Sequence, residues 1–256
     1  MSVNLAAAAT TLRGLHVPGR PLVLANIWDA ASARLAEAAG FPVVATSSGA
    51  LAESLGYGDH QDAPADEMFA AAARIARAVA VPVTVDAEAG YGLSADDLVA
   101  RLLDAGAVGC NLEDSDYAGG GMTDVAKQVD WLASVRATAD RTGVALVVNA
   151  RIDLFVRAAA RGTAESTLLD EAVTRARAYL AAGADCVYPI ALRDQDVLRR
   201  LLAEVSPGAV NVLSLPGGPP VADMAGLGVA RVSTGTSVWR AAQAVLAERL
   251  VELAAN

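Results

Sequence analysis

The sequence predicts an α/β protein of the (β/α)8 TIM-barrel class. Short β-branched segments alternate with longer alanine-rich segments, which is typical of parallel strands joined by crossover helices. Eight such units fit into 256 residues, as an eight-stranded barrel requires. The alternative is an open doubly wound sheet, which favours a glycine-rich turn after its first strand. Residues 26–30 read Asn-Ile-Trp-Asp-Ala at that point, so the barrel is preferred.

The predicted strands are short apolar runs, and most of them end in a polar residue. In chain order they cover residues 22–26, 43–47, 83–86, 108–113, 145–151, 186–190, 210–213 and 230–233. A continuous apolar run of this length indicates a strand that is buried on both faces, as in a parallel barrel. The polar ends are therefore the first place to look for a functional site.

The predicted helices are amphipathic rather than uniformly apolar. In chain order they cover residues 30–39, 65–79, 95–105, 125–142, 165–182, 194–204, 221–227 and 237–255. Several end in an Ala-Gly pair, and glycine accepts the left-handed conformation that closes a helix. We expect one barrel domain over residues 1–256.

Composition and charge exclude several classes of protein. A hydrophobic content of 54% and a mean hydropathy of +0.37 argue against long disorder. The net charge of −9 opposes binding to nucleic acid or to anionic membranes. No apolar run is long enough to span a bilayer, and no basic region precedes the first apolar stretch, so we expect a cytoplasmic protein. Cys110 and Cys186 lie in apolar segments, and we expect buried free thiols.

Acidic residues follow several of the predicted strands. Asp86 and Glu88 follow the third strand, Glu113 and Asp114 follow the fourth, and Asp59 lies in the loop after the second. The carboxyl ends of barrel strands meet at one rim, so we expect these carboxylates to converge. They would repel one another strongly unless a cation lay between them. Oxygen donors without histidine indicate Mg2+, with Mn2+ possible, rather than zinc.

The fifth strand and the second strand end in groups that can bind an anion. Arg151 supplies a permanent positive charge and can hold a carboxylate through two parallel hydrogen bonds. The segment 46–50, Thr-Ser-Ser-Gly-Ala, adds hydroxyl groups and exposed backbone amides. Together with the metal, these groups predict a receptor for a small carboxylate.

Each of these residues also has a structural alternative. Arg151 could instead pair with Glu113 or Asp153, and Ser47 and Ser48 could serve only to shape a turn. A single acid after a strand could be an ordinary loop residue or a helix cap. Their coincidence on consecutive strand ends favours a functional site.

Taken together and in order, several segments resemble the isocitrate lyase/phosphoenolpyruvate mutase superfamily over nearly the whole chain. They are 26–33 (NIWDAASA), 46–50 (TSSGA), 58–59 (GD), 86–92 (DAEAGYG), 111–114 (NLED) and 149–153 (NARID). The resemblance implies an (α/β)8 barrel whose last helix is often exchanged between subunits, and hence a homodimer or homotetramer. It also implies Mg2+, a small 2-oxo or 2-hydroxy acid, and cleavage or formation of C–C or P–C bonds.

The resemblance assigns the acids to the metal. Asp86 matches the direct metal ligand, whereas Asp59, Glu88 and Glu113 match the acids that hold metal-bound waters. Glu88 stands where an aspartate is common in the family, a change that still supplies an oxygen donor.

The resemblance assigns another set of residues to the substrate. Ser47, Ser48 and Gly49 match the hydroxyl and amide groups that cradle its carboxylate. Arg151 matches the arginine that contacts the carboxylate and the carbonyl oxygen. We expect Arg151, Glu113 and Asp59 to take part in catalysis.

The loop after the fourth strand departs from the family. Lyases of the isocitrate and methylisocitrate type carry a Lys-x-Cys-Gly-His segment there, and phosphonomutases carry a lysine and an asparagine. Here residues 114–123 read DSDYAGGGMT, and the single lysine, Lys127, falls in the following helix. The three glycines suit a mobile lid, and Tyr117 or Asp116 could transfer a proton.

The sequence therefore predicts a Mg2+-dependent lyase or decarboxylase of a small 2-oxo or 2-hydroxy acid. Metal and Arg151 would stabilise the pyruvate-like enolate that remains when the bond breaks. Two alternatives stay open: a phosphonopyruvate mutase or hydrolase that acts on a P–C bond, and a 2-oxo-acid binding protein without turnover.

Overall fold

A computed structural model describes residues 4–255, which form a closed barrel of eight parallel strands. The barrel strands are β1 Leu22–Ile27, β2 Val44–Thr46, β3 Val83–Asp86, β4 Gly109–Glu113, β7 Val147–Ile152, β8 Cys186–Pro189, β9 Ala209–Leu213 and β10 Arg231–Ser233. Two short strands, β5 Ser115–Asp116 and β6 Gly121–Met122, form a separate antiparallel hairpin. Because β1 pairs with both β2 and β10, the sheet closes and the doubly wound alternative is excluded. The predicted barrel is confirmed.

Helices surround the barrel. They are α1 Leu5–Gly14, α2 Ala30–Ala38, α3 Ser48–Leu55, α4 Ala65–Ala76, α5 Ala95–Asp104, α6 Val125–Arg141, α7 Leu154–Arg161, α8 Leu169–Ala181, α9 Gln195–Val205, α10 Val221–Gly226 and α11 Ser237–Ala254, with a 3-10 turn, Glu165–Leu168, before α8. All eight helices expected from the sequence are present. The sequence analysis did not predict α1, α3, α7 or the β5–β6 hairpin.

The main core lies between the strands and the outer helices. Helix α5 shows the principle: Ser94 caps it by accepting a hydrogen bond from the amide of Asp97 (3.1 Å), and its apolar stripe buries Leu98 and Leu102. Cys110 and Cys186 are buried and unbridged, as expected. Apolar side chains therefore pack between the outer face of the barrel and the surrounding helices.

Helix α1 closes the amino-terminal end of the barrel. Its residues Ala9 and Leu12 are buried among the strand residues Leu24 and Val147. A Cβ atom on Gly109 would lie 2.7 Å from Leu12 Cδ2, so only glycine allows this close approach. With that end closed, the carboxyl ends of the strands form the open rim.

Helix α11 packs less closely than the other elements. None of its residues is buried, and Leu246, Leu250 and Val251 are each more than half exposed, at 51%, 56% and 71%. Within residues 4–255, no helix combines the length and apolar character needed to cross a bilayer. Exchange of α11 between subunits remains a prediction.

Candidate active site

Asp86, the last residue of β3, lies against the start of α3. Ser48 donates hydrogen bonds to Asp86 Oδ2 from its hydroxyl (2.8 Å) and its amide (3.3 Å). On the other side, Asn111 Nδ2 donates to Asp86 Oδ1 (3.4 Å). The start of α3 and the neighbouring strand β4 therefore hold the carboxylate at the rim.

Glu88 lies in the loop after β3 and is almost fully buried, at 2% exposed. Its left-handed backbone (φ 48°) turns the loop back towards the barrel. Tyr91 Oη donates to Glu88 Oε1 (2.9 Å) and the Gln61 amide donates to Oε2 (2.5 Å). Burial and the charge of Asp86 raise the pKa of Glu88 to about 7. Within residues 4–255, no basic side chain forms a salt bridge with this carboxyl.

Arg151, at the end of β7, lies between two acids. Its Nη1 lies 2.6 Å from Glu113 Oε2, and its Nε and Nη2 donate to the two oxygens of Asp153 (2.6 and 3.1 Å). Arg151 therefore pairs with both Glu113 and Asp153, the two partners that the sequence analysis gave as its structural alternatives. Burial works against its charge, but Glu113 and Asp153 raise the pKa of Arg151 well above its ordinary value. Arg151 stays charged, and its planar group has N–H donors left for a further acceptor.

Asp114 serves a different purpose from its neighbour Glu113. It is fully buried, and its Oδ2 accepts hydrogen bonds from Tyr179 Oη (2.7 Å) and Arg175 Nη1 (3.1 Å). Its backbone carbonyl accepts from the amide of Thr123 (2.8 Å), at the far end of the β5–β6 hairpin. Asp114 therefore anchors the hairpin and lies outside the rim cluster.

The first turn of α3 brings Asp59 to the site. A Cβ atom on Gly49 would lie 2.8 Å from Asp59 Oδ2, so the glycine makes room for this exposed acid. Ser47 caps the helix by accepting from the amide of Ala50 (3.4 Å), which realises its structural alternative. The first amides of a helix have no intrahelical acceptor, so this turn offers donors to an anion.

The four predicted metal-binding acids influence one another at the rim. Asp86 raises the pKa of both Glu88 and Glu113, in each case after the larger effect of burial, and Asp59 also raises that of Glu88. Within the described range, no three carboxylate, imidazole or thiol groups form a ready-made metal cage. Mg2+ often takes one or two carboxylates and keeps several waters. The arrangement therefore suits direct binding by Asp86, with water between the ion and the other acids.

One carboxylate oxygen of Glu113 can accept from a further donor. Its Oε2 is buried and, among residues 4–255, no aligned hydrogen-bond donor reaches it, although Arg151 Nη1 lies close enough for an ion pair. A water on a metal ion is one donor that would satisfy this oxygen. The oxygen-only donor set and this unsatisfied acceptor both fit Mg2+.

Tyr117, in the turn of the β5–β6 hairpin, reaches the rim. Its hydroxyl donates to Glu113 Oε1, and His60 Nδ1 lies 3.2 Å from the same hydroxyl. Asp116 instead accepts from the amide of Gly119 (2.8 Å) within the hairpin. Of the two proton-transfer candidates in the lid, Tyr117 bonds directly to Glu113, whereas Asp116 lines the adjoining cavity. His60, which sequence reasoning left aside, joins Tyr117 there.

A cavity of about 690 Å³ opens beside the hairpin. Its lining includes Glu113, Tyr117, Tyr91, Trp131 and Lys127. Lys127 lies in α6, as predicted, yet still faces this cavity. The sequence analysis did not single out Tyr91 or Trp131, since it is the fold that brings the loop of Tyr91 and helix α6 of Trp131 to one cavity.

Comparison with known proteins agrees with this geometry. The sequence profile described as phosphoenolpyruvate phosphomutase matches residues 12–254. The chain belongs to this family. The superfamily predicted from the rim motifs is therefore confirmed.

Proteins similar in sequence to this chain include an enzyme named for its action on a small acid. An uncharacterized protein of Mycobacterium tuberculosis is 34% identical over 229 residues, 89% of this chain and 82% of the relative. An oxaloacetate decarboxylase of Bradyrhizobium is 30% identical over 216 residues, 82% of this chain and 70% of the relative. A Burkholderia cenocepacia structure, provisionally assigned as a phosphonomutase, has a TM-score of 0.89 and 41% identity, and the match covers 95% of this chain and 98% of that one.

Proposed function

We propose that this protein is a Mg2+-dependent lyase or decarboxylase of a small 2-oxo or 2-hydroxy acid. The observation that carries the proposal is the rim cluster, in which Asp86, Glu88 and Glu113 share one end of the barrel with Arg151. When these acids are ionised, the cluster has more negative charge than its arginine neutralises. A divalent cation with an anionic substrate completes it electrostatically.

The substrate carboxylate binds at the first turn of α3. Ser47, Ser48 and Gly49 offer hydroxyl and amide donors there, and the positive end of the helix dipole favours an anion. Ser48 donates to Asp86 in the structure and can turn its hydroxyl towards the substrate. Arg151 holds the oxygen at C2 with its remaining N–H donors.

Bond cleavage leaves an electron pair that must be stabilised as an enolate. Asp86 would hold Mg2+, which when bound would supply Lewis-acid stabilisation of the negative charge that develops on the substrate. Arg151 adds fixed positive charge beside the oxygen at C2, and Asp153 keeps its guanidinium in place. Burial and Glu113 raise the pKa of Tyr117, so its hydroxyl stays protonated and lies at the rim as a hydrogen-bond and proton donor.

The decisive experiment measures Mg2+-dependent binding of oxalate, an analogue of the pyruvate enolate, by calorimetry. We expect Asp86→Ala to abolish it, whereas Asp130→Asn, a change at an exposed acid of α6, leaves it intact. Retained affinity in Asp86→Ala would reject the site. Turnover of a panel of 2-oxo and 2-hydroxy acids then separates an enzyme from a protein that only binds them.

A second candidate is P–C bond chemistry on phosphonopyruvate. The similarity to the Burkholderia protein favours it. The lid sequence argues against it, because residues 114–123 contain no lysine and Lys127 lies in α6. Phosphorus NMR of a reaction with phosphonopyruvate distinguishes the two candidates, since only P–C chemistry changes the phosphorus signal.

We also propose that α11 is covered by a second copy of the chain, in a homodimer or homotetramer. Its apolar residues are exposed, and a groove of about 610 Å³ lies beside Leu22 of β1 and Val221 of α10. Helix α11 of the second copy, packed in this groove, would bury apolar surface of the helix and of the groove. Light scattering tests this: Leu246→Glu combined with Leu250→Glu should yield monomers, and an unchanged mass would reject the interface.

A further inference from the structure

Arg231 is a buried charge that the proposed reaction does not use. It begins β10, is 1% exposed, and extends into the barrel interior. Its Nη2 donates to Asn111 Oδ1 (3.1 Å), and its Nη1 lies 3.5 Å from His16 Nε2. In the part of the chain that the structure describes, no carboxylate lies within 4.0 Å of this guanidinium. Its partners are neutral amide and imidazole groups.

Arg231 fixes which way the Asn111 side chain faces. Asn111 Oδ1 accepts from Arg231 and also from Asn149 Nδ2 (2.9 Å). With its oxygen occupied by two donors, the amide presents Nδ2 to Asp86 Oδ1 (3.4 Å). A flipped amide would set N–H groups against both donors and an oxygen against the Asp86 carboxylate. The network therefore has one favourable orientation.

At the closed end of the barrel, His16 is consistent with the same order of hydrogen-bond donors and acceptors. The carbonyl of Leu12 can only accept, so His16 Nδ1, 2.9 Å away, carries the proton. Nε2 is then an acceptor for Arg231 Nη1. Burial and Arg231 lower the pKa of His16 to about 4, which keeps the ring neutral. Donors thus run in one sense from Arg231 through Asn111 to Asp86.

We propose that Arg231 is a positioning residue for metal binding, acting through Asn111 on the carboxylate of Asp86. The inference rests on the proposed role of Asp86 as the direct metal ligand. The charge of Arg231 and its positioning of Asn111 predict opposite effects on metal affinity when Arg231 is removed. Loss of a positive charge near the metal would tighten cation binding, whereas loss of the Asn111 orientation would weaken it.

The test measures Mn2+ affinity from the electron paramagnetic resonance signal of free Mn2+. We expect Arg231→Met to weaken binding about tenfold. Arg231→Lys, whose ammonium can still donate to Asn111 Oδ1, should bind within about threefold of the natural protein. In an Asn111→Leu background, Arg231→Met should have no further effect, because the two residues act as one unit.

The outcomes separate this inference from the proposed function. If Asp86→Asn leaves Mn2+ affinity unchanged, the metal site itself is misplaced. If Asp86→Asn abolishes binding while folded Arg231→Met binds equally or more tightly, or its effect multiplies with that of Asn111→Leu, the positioning role is wrong. Arg136→Met, at the closed end, controls for general destabilisation.

A second variant protects the test against misfolding. Should circular dichroism show that Arg231→Met does not fold, Asn149→Leu removes the other donor to Asn111 Oδ1 and leaves the buried guanidinium in place. It should weaken Mn2+ binding in the same direction, and unchanged affinity would overturn the inference.

Discussion

The two ends of the barrel differ in how many arginine partners their acidic side chains have. At the closed end, Asp185 accepts from Arg13 Nε (2.6 Å), Arg136 Nη2 (2.5 Å) and the amide of Val148 (2.8 Å). At the open rim, Glu113 and Asp153 share the guanidinium of Arg151. One acid has two arginines at the first end, and two acids have one arginine at the second.

This difference indicates what each end does. A carboxylate saturated by donors is satisfied by the fold itself, so its role is to hold the structure together. A group of carboxylates short of positive charge is costly to fold and is satisfied only when a cation binds. Loss of an acid should therefore reduce stability at the closed end and metal affinity at the rim.

The largest expected effect is at the closed end. Asp185→Ala leaves two partly buried guanidinium groups and the Val148 amide without their acceptor. We expect a loss of about 3 kcal/mol in the free energy of unfolding, or roughly 6–12 °C in Tm. Urea denaturation measures it. Mn2+ affinity of the folded variant should be unchanged, and a matching loss of metal affinity would contradict the division between the ends.

The next effect is a pH dependence at the rim. Because the pKa of Glu88 is raised from 4.5 to about 7, the metal-free folded protein holds a proton that the unfolded chain releases in this interval. Stability therefore falls as pH rises from 4.5 to about 7, by up to about 3 kcal/mol. Urea denaturation in EDTA should show that Glu88→Gln reduces this slope, and the remainder belongs to Glu113, whose pKa is also raised. The exposed Glu53→Gln should retain it, and an equal slope in both variants would contradict the assignment.

His16 should give the opposite pH dependence at the closed end. Its pKa is lowered from 6.5 to about 4, so between these values the unfolded chain binds the extra proton. Stability falls as pH falls through this interval, by about 2 kcal/mol given the partial exposure of the ring. His16→Gln should flatten this acid limb in urea denaturation. The exposed His60→Gln should not, and loss of the limb in that variant would shift the assignment to the rim.

Sequence patterns predict the barrel and the location of its site for physical reasons. Strand and helix periods are local properties, and parallel strands necessarily bring their carboxyl ends to one rim. For that reason Asp86, Glu113 and Arg151 could be grouped without coordinates. Helices α3 and α7, of eight residues each, are too short to show a clear period.

Other contacts depend on backbone conformations that no pattern reveals. The amide of Gln61 reaches Glu88 because both residues adopt left-handed conformations, with φ of 62° and 48°. Asp114 differs from Glu113 because adjacent residues at a strand end face opposite sides. A charged residue inside an apolar strand, such as Arg231, gives no sequence sign of the partner it finds across the barrel.

The smallest expected effect separates the arrangement of the rim from its charge. Gly49→Ala places a Cβ atom 2.8 Å from Asp59 Oδ2 and 3.2 Å from Thr236 Cγ2. Because Asp59 is exposed, it can swing away with little change in the free energy of unfolding. The rim then keeps its net charge but loses one acid beside α3, and we expect Mn2+ affinity to fall about threefold to tenfold, or about 1 kcal/mol.

Gly226→Ala in α10 is the matched control, since its added Cβ meets no atom within 4 Å. Equal Mn2+ affinities in the two variants would mean that Asp59 acts only through long-range charge. A selective loss in Gly49→Ala would mean that the rim acids bind the cation through their positions. Net charge alone attracts any cation, but a placed carboxylate and its water can select a small divalent ion.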